Sequence, residues 1–254
     1  LDIQKRIENY WQNRSGSYSK HVLEEMNSFK KDAWAALIDE HRPDGKPLKV
    51  LDIGTGPGFF ALLLSGMGHR VTAIDCTDNM LAEAENNVRA AGYQVEFHNM
   101  DSHQLDFAGG TFDLIICRNL TWTLRDPHQA YREWHRVLKP RGRLMVFDAN
   151  WHIRLFDPEM DRWHREDLER ARQMGFPDPH ADVNREESDN IARNLYLSNR
   201  WRPRWDAGAL LNCGFGKVFI DADISNRVWN EKDKVLYRST PMFMAGAEKK
   251  DDFN

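Results

Sequence analysis

Val50-Leu51-Asp52-Ile53-Gly54-Thr55-Gly56-Pro57-Gly58-Phe59-Phe60 is the stretch whose residue types and spacing most directly imply chemistry. An apolar run ends near an acid, passes three glycines and becomes apolar again, which predicts a buried strand turning into a helix. Glycines there permit a tight turn and close approach of a ligand to the backbone, and the helix's first N–H groups face that ligand unpaired. Gly54, Thr55, Gly56 and Gly58 are therefore candidate binding residues. The dinucleotide fingerprint G-x-G-x-x-G requires glycine at 59, where Phe59 stands. Asp52 also sets a carboxylate against the loop, which repels a pyrophosphate and suits a cationic or amine-bearing ligand. The loop points to a nucleoside without phosphates and away from a nicotinamide oxidoreductase.

Two further acids follow at the ends of predicted strands. Asp75 comes 19 residues after Gly56, where a carboxylate accepts hydrogen bonds from both ribose hydroxyls of a nucleoside. A helix-capping role for it is the plainer alternative, but Asp78 is better placed to cap. Asp101, just past the third strand, lies on the ligand side of such a sheet and can accept from an adenine amino group.

These residues need a sheet to position them. Strands are expected at 48–53, 70–75, 94–98, 112–117 and 143–148, with helices at 58–67, 78–91 and 127–138 between them. Asp126-Pro127 reads as an N-cap followed by proline at the first helical position, and Pro140-Arg141-Gly142 as the closing turn. Alternation of this kind predicts right-handed βαβ units and a mainly parallel sheet. Residues 1–41 read as two helices hinged near Gly16, with Trp34, Leu37 and Ile38 on one stripe. Residues 150–205 break the rhythm: they are polar, rich in paired charges and carry Trp151, Trp163, Trp201 and Trp205. Helix is expected at 159–173 and 206–213, a breaker at Phe176-Pro177-Asp178-Pro179, and two last strands at 216–222 and 235–245, antiparallel because their link is short. The tail from Glu248 to Asp252 is expected to fray.

The expected fold is thus α/β, a Rossmann-like seven-stranded, mostly parallel sheet with helices on both faces. Its parts are an N-terminal helical cover (1–45), a nucleoside-binding core (46–150), a substrate-side insertion or lid (151–205) and a C-terminal completion of the sheet (206–254). Composition fits one such core: 254 residues, 41% hydrophobic, with 35 basic against 39 acidic side chains. The resulting net charge of −4 argues against nucleic acid as the main partner. The three cysteines have neither disulfide-framework nor thiolate-metal spacing, and no apolar run is long enough for a bilayer or resembles a signal peptide, so a cytoplasmic protein is expected.

The order of these signals resembles class I S-adenosylmethionine-dependent methyltransferases, in the broad small-molecule group that includes the ubiquinone/menaquinone-biosynthesis C-methyltransferases. The resemblance covers about residues 48–150. Asp52-Ile53-Gly54-Thr55-Gly56-Pro57-Gly58 is similar to the family's first motif, Phe112-Asp113-Leu114-Ile115-Ile116-Cys117 to its fourth strand, and Val137-Leu138-Lys139-Pro140-Arg141-Gly142-Arg143-Leu144 to the turn before the fifth. Arg141 stands where the family usually has glycine.

The resemblance implies S-adenosylmethionine as cofactor, with Gly54 and Gly56 along its methionine part and Asp75 on the ribose. Cys76 and Met80 would flank the adenine, and Asp101 with the Ser102 amide would read its edge. Arg118, through its carbonyl, would meet the methionine amine beside Asn119. Tyr10-Trp11…Arg14…Tyr18 is similar to the family's N-terminal cover, so Tyr10, Arg14 and Tyr18 join the candidate cofactor residues.

Methyl transfer from a sulfonium is an in-line displacement on an activated carbon, so placement and exclusion of water suffice and a base is optional. His21 and His152 are candidates by position, but no catalytic residue is assigned. Trp122, Trp151 and His152 are candidate substrate contacts. Asn119-Leu120-Thr121-Trp122 departs from the Asn-Pro-Pro-Tyr of nucleobase amino-methyltransferases, and no spacing suggests a metal. A small organic acceptor is the expected partner. The rival reading is a regulatory module that binds S-adenosylmethionine without turnover.

Overall fold

The computed structural model describes residues 2–45, 47–177 and 184–251. It begins with three helices, α1 (Ile3–Gln12), α2 (Ser15–Met26) and α3 (Lys30–His41), where the sequence reads as two. Gly16 is no hinge; it lies in the first turn of α2, and the breaks fall at Asn13-Arg14 and 27–29. At the second break Ser28 Oγ donates to the Glu25 carbonyl (2.8 Å) and accepts from the Lys30 amide (3.2 Å), a local bonding pattern that competes with continued helix. Trp34, Leu37 and Ile38 do share one face and are buried. Trp34 meets Phe59, Phe60 and Phe147 edge-on, so α3 belongs to the core layer and not to a cover.

The core then alternates β1 (Lys49–Ile53), α4 (Phe59–Gly66), β2 (Arg70–Asp75), α5 (Asp78–Ala90), β3 (Glu96–Asn99), β4 (Phe112–Arg118), α6 (Pro127–Val137) and β5 (Leu138–Asp148). Asp126 caps α6 as expected, its carboxylate accepting from the Gln129 amide at 2.9 Å. The expected turn at Pro140-Arg141-Gly142 instead lies within β5, which starts where α6 ends. Arg141 takes φ +62° there, and the pairing with β4 shifts register between Phe112 and Leu114.

After β5 come α7 (Pro158–Gln173), α8 (Arg185–Ala192), α9 (Arg204–Asn212), β6 (Phe215–Asp221), α10 (Ser225–Val228), α11 (Glu231–Leu236) and β7 (Phe243–Lys249). Residues 178 and 179 of the expected breaker, and Asp252 of the expected frayed tail, lie outside the described residues. Glu248 does not fray: it is in β7 and its carboxylate accepts from Arg143 Nε at 2.9 Å. The expected strand at 235–245 begins only at Phe243, because α10 and α11 occupy the connection. An Asn230/Asp233 capping box starts the second of them.

The sheet order is β3-β2-β1-β4-β5-β7-β6, parallel from β3 through β5, with β7 antiparallel to both neighbours. The central strands are apolar on both faces because helices cover both. Successive residues alternate sides: Val50, Leu114, Ile116, Met145 and Phe147 pack with α3 and α4, while Leu51, Ile53, Ile115, Cys117 and Leu144 pack with α6 and α9. Strand order reverses between β1 and β4, which opens a crevice at their C-terminal ends, the place where ligands bind in this architecture. Among the described residues no helix is long and apolar enough to cross a membrane.

Candidate functional site

The crevice is formed by the β1–α4 turn. Gly54, Gly56 and Gly58 all have positive φ, which side chains rarely tolerate. A Cβ on Gly54 would come within 2.6 Å of Leu120 Cδ1, so a larger residue there would have to displace that side chain as well as hold a positive φ. Gly58 in the left-handed region starts α4, leaving that helix's first amides without a side-chain cap.

Two carboxylates face this turn. Asp52 is buried at the end of β1, and its Oδ2 accepts from Thr55 Oγ1 at 2.6 Å. Burial pushes its pKa up to about 7, only partly offset by the Thr55 bond. Asp75, at the end of β2, accepts from the Gly56 amide (3.0 Å) with Oδ2, and from the Thr77 amide (3.0 Å) and hydroxyl (2.7 Å) with Oδ1. Its pKa is also raised, by burial first and against those three donors. Asp75 thus braces the glycine turn while keeping lone pairs for a ligand.

A cavity over the turn is lined by Asp52, Gly54, Thr55, Gly56, Asp75, Cys76, Met80, Asp101, Ser102, Arg118, Asn119 and Tyr18, so most of the expected cofactor residues converge. Trp11, Leu120 and His103 line it too; spacing gave no reason to choose them. Asp101 is already engaged: Oδ1 accepts from the His103 amide (2.9 Å) and pairs with His103 Nδ1 (2.6 Å), while Oδ2 meets Arg125. Those partners hold its pKa well below the usual carboxylate range against the opposing effect of burial. The Ser102 carbonyl accepts from Trp134 Nε1 at 2.9 Å.

Three expected residues do not line this cavity, and the first is Gly58, which caps the start of α4. Tyr10 does not line the cavity; it is buried between α1 and α8 with Ile7, Trp122 and Ile191, and its hydroxyl accepts from Arg14 at 3.1 Å. Arg14 does not line this cavity either; it lines a second one. Arg118 contributes more than its carbonyl. Its side chain is buried over the Phe59 ring (3.9 Å) and donates to Glu25 at 2.8 Å, a partner 93 residues away. Glu25 also takes Lys30 at 3.2 Å, and these two cations hold its pKa down at about 2 although burial works the other way.

The second cavity adjoins the first and shares Trp11, Tyr18, Arg118 and Asn119 with it. Trp122, Trp151 and His152, the expected substrate contacts, all line it, as do Trp34 and Trp229. The Trp122 and His152 rings lie 4.5 Å apart. The other tryptophans of the insertion do not join this wall: Trp163 and Trp201 are 37% and 53% exposed, and Trp205 packs on His128 and Tyr131. His21 is on the cavity's rim, and burial lowers its pKa, with Glu25 opposing and Arg118 and Lys30 adding to the shift.

A buried ionic knot holds the wall in place. Asp148, at the end of β5, accepts from Thr121 Oγ1 (2.5 Å), the Trp122 amide (3.1 Å) and Trp151 Nε1 (2.8 Å). Arg202 pairs with Asp148 at 3.1 Å and with Asp206 at 2.6 and 2.8 Å, and Tyr131 donates to Asp206 at 2.7 Å. Among the described residues no cluster of His, Cys, Asp and Glu could hold a metal ion.

Sheet order, glycine turn and strand-end acids are similar to those of class I S-adenosylmethionine-dependent methyltransferases. Residues 51–146 match the family model described as a methyltransferase domain. Over 130 residues the chain is 32% identical to demethylmenaquinone methyltransferase of Thermus thermophilus, covering 50% of this chain and 59% of that protein. Over 126 residues it is 33% identical to the ubiquinone/menaquinone biosynthesis C-methyltransferase UbiE of Desulfotalea psychrophila, covering 49% and 50%. The chain thus spans about half the length of the curated relatives it matches. Its fold is similar to that of Haemonchus contortus phosphoethanolamine N-methyltransferase 2, solved with phosphomonomethylethanolamine and S-adenosylhomocysteine. The TM-score is 0.62 at 15% identity, covering 95% of this chain and 59% of that one.

S-Adenosylmethionine is the cofactor of this class, and the residues present fit it. A buried carboxylate with its pKa near 7 favours a cationic ligand beside it, and Asp75 retains acceptor capacity at the turn's edge. The glycine turn leaves backbone open where a side chain would intrude.

Proposed function

We propose that the protein transfers a methyl group from S-adenosylmethionine to a small organic acceptor. The observation that carries this reading is the shared wall of Trp11, Tyr18, Arg118 and Asn119, which makes a group held in the glycine-turn cavity adjacent to one held in the tryptophan-lined cavity. In this reading Asp75 accepts from the ribose, Asp52 faces the cationic methionine end, and Cys76, Met80, Asp101 and Ser102 surround the adenine. When bound, S-adenosylmethionine supplies a methyl group on a sulfonium, an activated carbon. The chain's residues orient the acceptor and exclude water: Trp122 and Trp151 are fixed by Asp148, and α7 and α8 serve as a lid over the acceptor. The quinone-biosynthesis names of the curated relatives support an aromatic acceptor.

The experiment is incubation of the protein with methyl-labelled S-adenosylmethionine and a small-molecule extract. Label is expected in extracted small molecules, with S-adenosylhomocysteine formed in equal amount. Tight binding of the cofactor with no label transferred from any extract would instead favour the regulatory module.

Asp52 gives the site a pH dependence. Its folded pKa of about 7 lies above its ordinary value, so its contribution to stability is full below about pH 4 and is lost as pH rises through 7. An amine-bearing ligand beside it needs the ionised form, so binding releases a proton at and below neutrality. S-Adenosylhomocysteine affinity, measured by calorimetry, is expected to fall by up to about tenfold per unit as pH drops below 7. Asp52→Asn should bind weakly at every pH and flatten that slope; an unflattened slope contradicts the assignment.

A further inference from the structure

The chain as a whole is acidic, with a net charge of −4, yet the tryptophan-lined cavity has the opposite balance. Six permanently charged cations line it, Arg14, Lys30, Arg118, Arg154, Arg165 and Arg185, against the four carboxylates of Glu25, Asp161, Asp189 and Asp233. Most of these cations are held by the cavity's own acids. Lys30 pairs with Glu25 and Asp233, Arg118 with Glu25, Arg154 with Asp189 at 2.5 Å, and Arg165 with Asp161 at 2.7 Å.

Arg14 differs. Among the described residues no carboxylate lies within ion-pair distance of it, and its single side-chain hydrogen bond goes to the Tyr10 hydroxyl. Its guanidinium is seated by three aromatic rings, Tyr10, Trp11 and Tyr18, with centroids 5.5, 5.2 and 6.0 Å away. Trp11 in turn lies 6.4 Å from Trp122, and Trp122 lies against His152. A fixed cation thus stands at one end of a continuous aromatic strip that runs along the shared wall. Aromatic seating orients a guanidinium but does not neutralise it, and a half-buried unpaired cation beside a low-dielectric wall binds anions well.

We propose that the acceptor is an anionic aromatic molecule, its body along the Trp11–Trp122 strip and its carboxylate or phosphate paired with Arg14. This rests on the reading above that the second cavity holds the acceptor. The strip supplies the apolar contact area and Arg14 the selectivity, since an uncharged analogue leaves the guanidinium unpaired.

The test uses the full chain saturated with S-adenosylhomocysteine, and calorimetry with benzoate, phenyl phosphate and the neutral isostere benzamide. At least one of the two anions is expected to bind about tenfold or more tightly than benzamide, and which one does so identifies the acid. Arg14→Gln is expected to abolish that preference while S-adenosylhomocysteine affinity changes less than about twofold, and Arg14→Lys to restore part of it. Equal binding of anions and amide, or no binding of either anion, would overturn the proposal. So would an Arg14→Gln variant that loses S-adenosylhomocysteine affinity, which would assign Arg14 to the cofactor's own carboxylate. Failure of the cofactor reading is seen separately, as failure of the wild-type chain to bind S-adenosylhomocysteine at all.

Discussion

Arg202→Met is expected to cost about 3–5 kcal/mol of stability, because it leaves two buried carboxylates facing each other without their cation. The Arg202 side chain is 1% exposed and those of Asp148 and Asp206 are fully buried. For a chain of this size such a loss lowers the melting temperature by about 10 °C. The effect should extend beyond stability, since Asp148 is also what fixes the Trp122 amide and the Trp151 indole. Arg202→Lys keeps the charge but not the fork that spans both acids, and should cost roughly half as much. Thermal or urea unfolding of the two variants decides the matter; a loss below about 1 kcal/mol for Arg202→Met would show that the knot is dispensable.

Asp75→Ala is the second large effect, on binding. In the proposed function Asp75 accepts charge-assisted bonds from the ribose, so its removal is expected to weaken cofactor affinity by about 1.5–3 kcal/mol, roughly 10- to 150-fold. Part of that loss belongs to the turn, because Asp75 also holds the Gly56 amide and Thr77. Asp75→Asn keeps one acceptor, for Thr77, but sets an amide donor against the Gly56 N–H, so the apo protein should melt below the wild type and the fall in affinity, about tenfold, includes the turn's share. Calorimetry showing wild-type affinity in either variant would refute the ribose assignment.

The parts of this fold that were legible in the sequence are those fixed by local chemistry. The glycine turn declares itself because glycine adopts its positive φ most readily, and α6 because Asp126-Pro127 caps and starts it within four residues. The alternation of Val50-Leu51 and Ile115-Ile116 between faces follows from strand periodicity alone. What was not legible depends on distant partners. One exception is local: Lys234-Val235-Leu236-Tyr237 is apolar enough to read as strand, although Asn230 and Asp233 just before it carry the capping box that starts α11. Glu248 looks like part of a frayed acidic tail until Arg143, far away in sequence, is placed opposite it. The tryptophans show the same limit. Trp163 and Trp201 carry the same side chain as Trp122 and Trp151 but are exposed, whereas Asp148, distant in sequence from Trp122, accepts from the Trp122 amide and the Trp151 indole. Tyr10 and Arg14 were assigned together from one short motif, and the break after α1 leaves one in the α1–α8 contact and the other at the second cavity.

The wild-type arm of the Asp75 titration tests the central claim most directly, with S-adenosylmethionine, S-adenosylhomocysteine and NAD compared on the same protein. A cavity built from Asp52, the glycine turn and Asp75 should bind both adenosyl compounds, each stabilising the fold by about 2.7 kcal/mol at a hundredfold excess over its dissociation constant, and should leave NAD unbound. Binding of NAD with no response to either adenosyl compound would contradict the account from Gly54 onward.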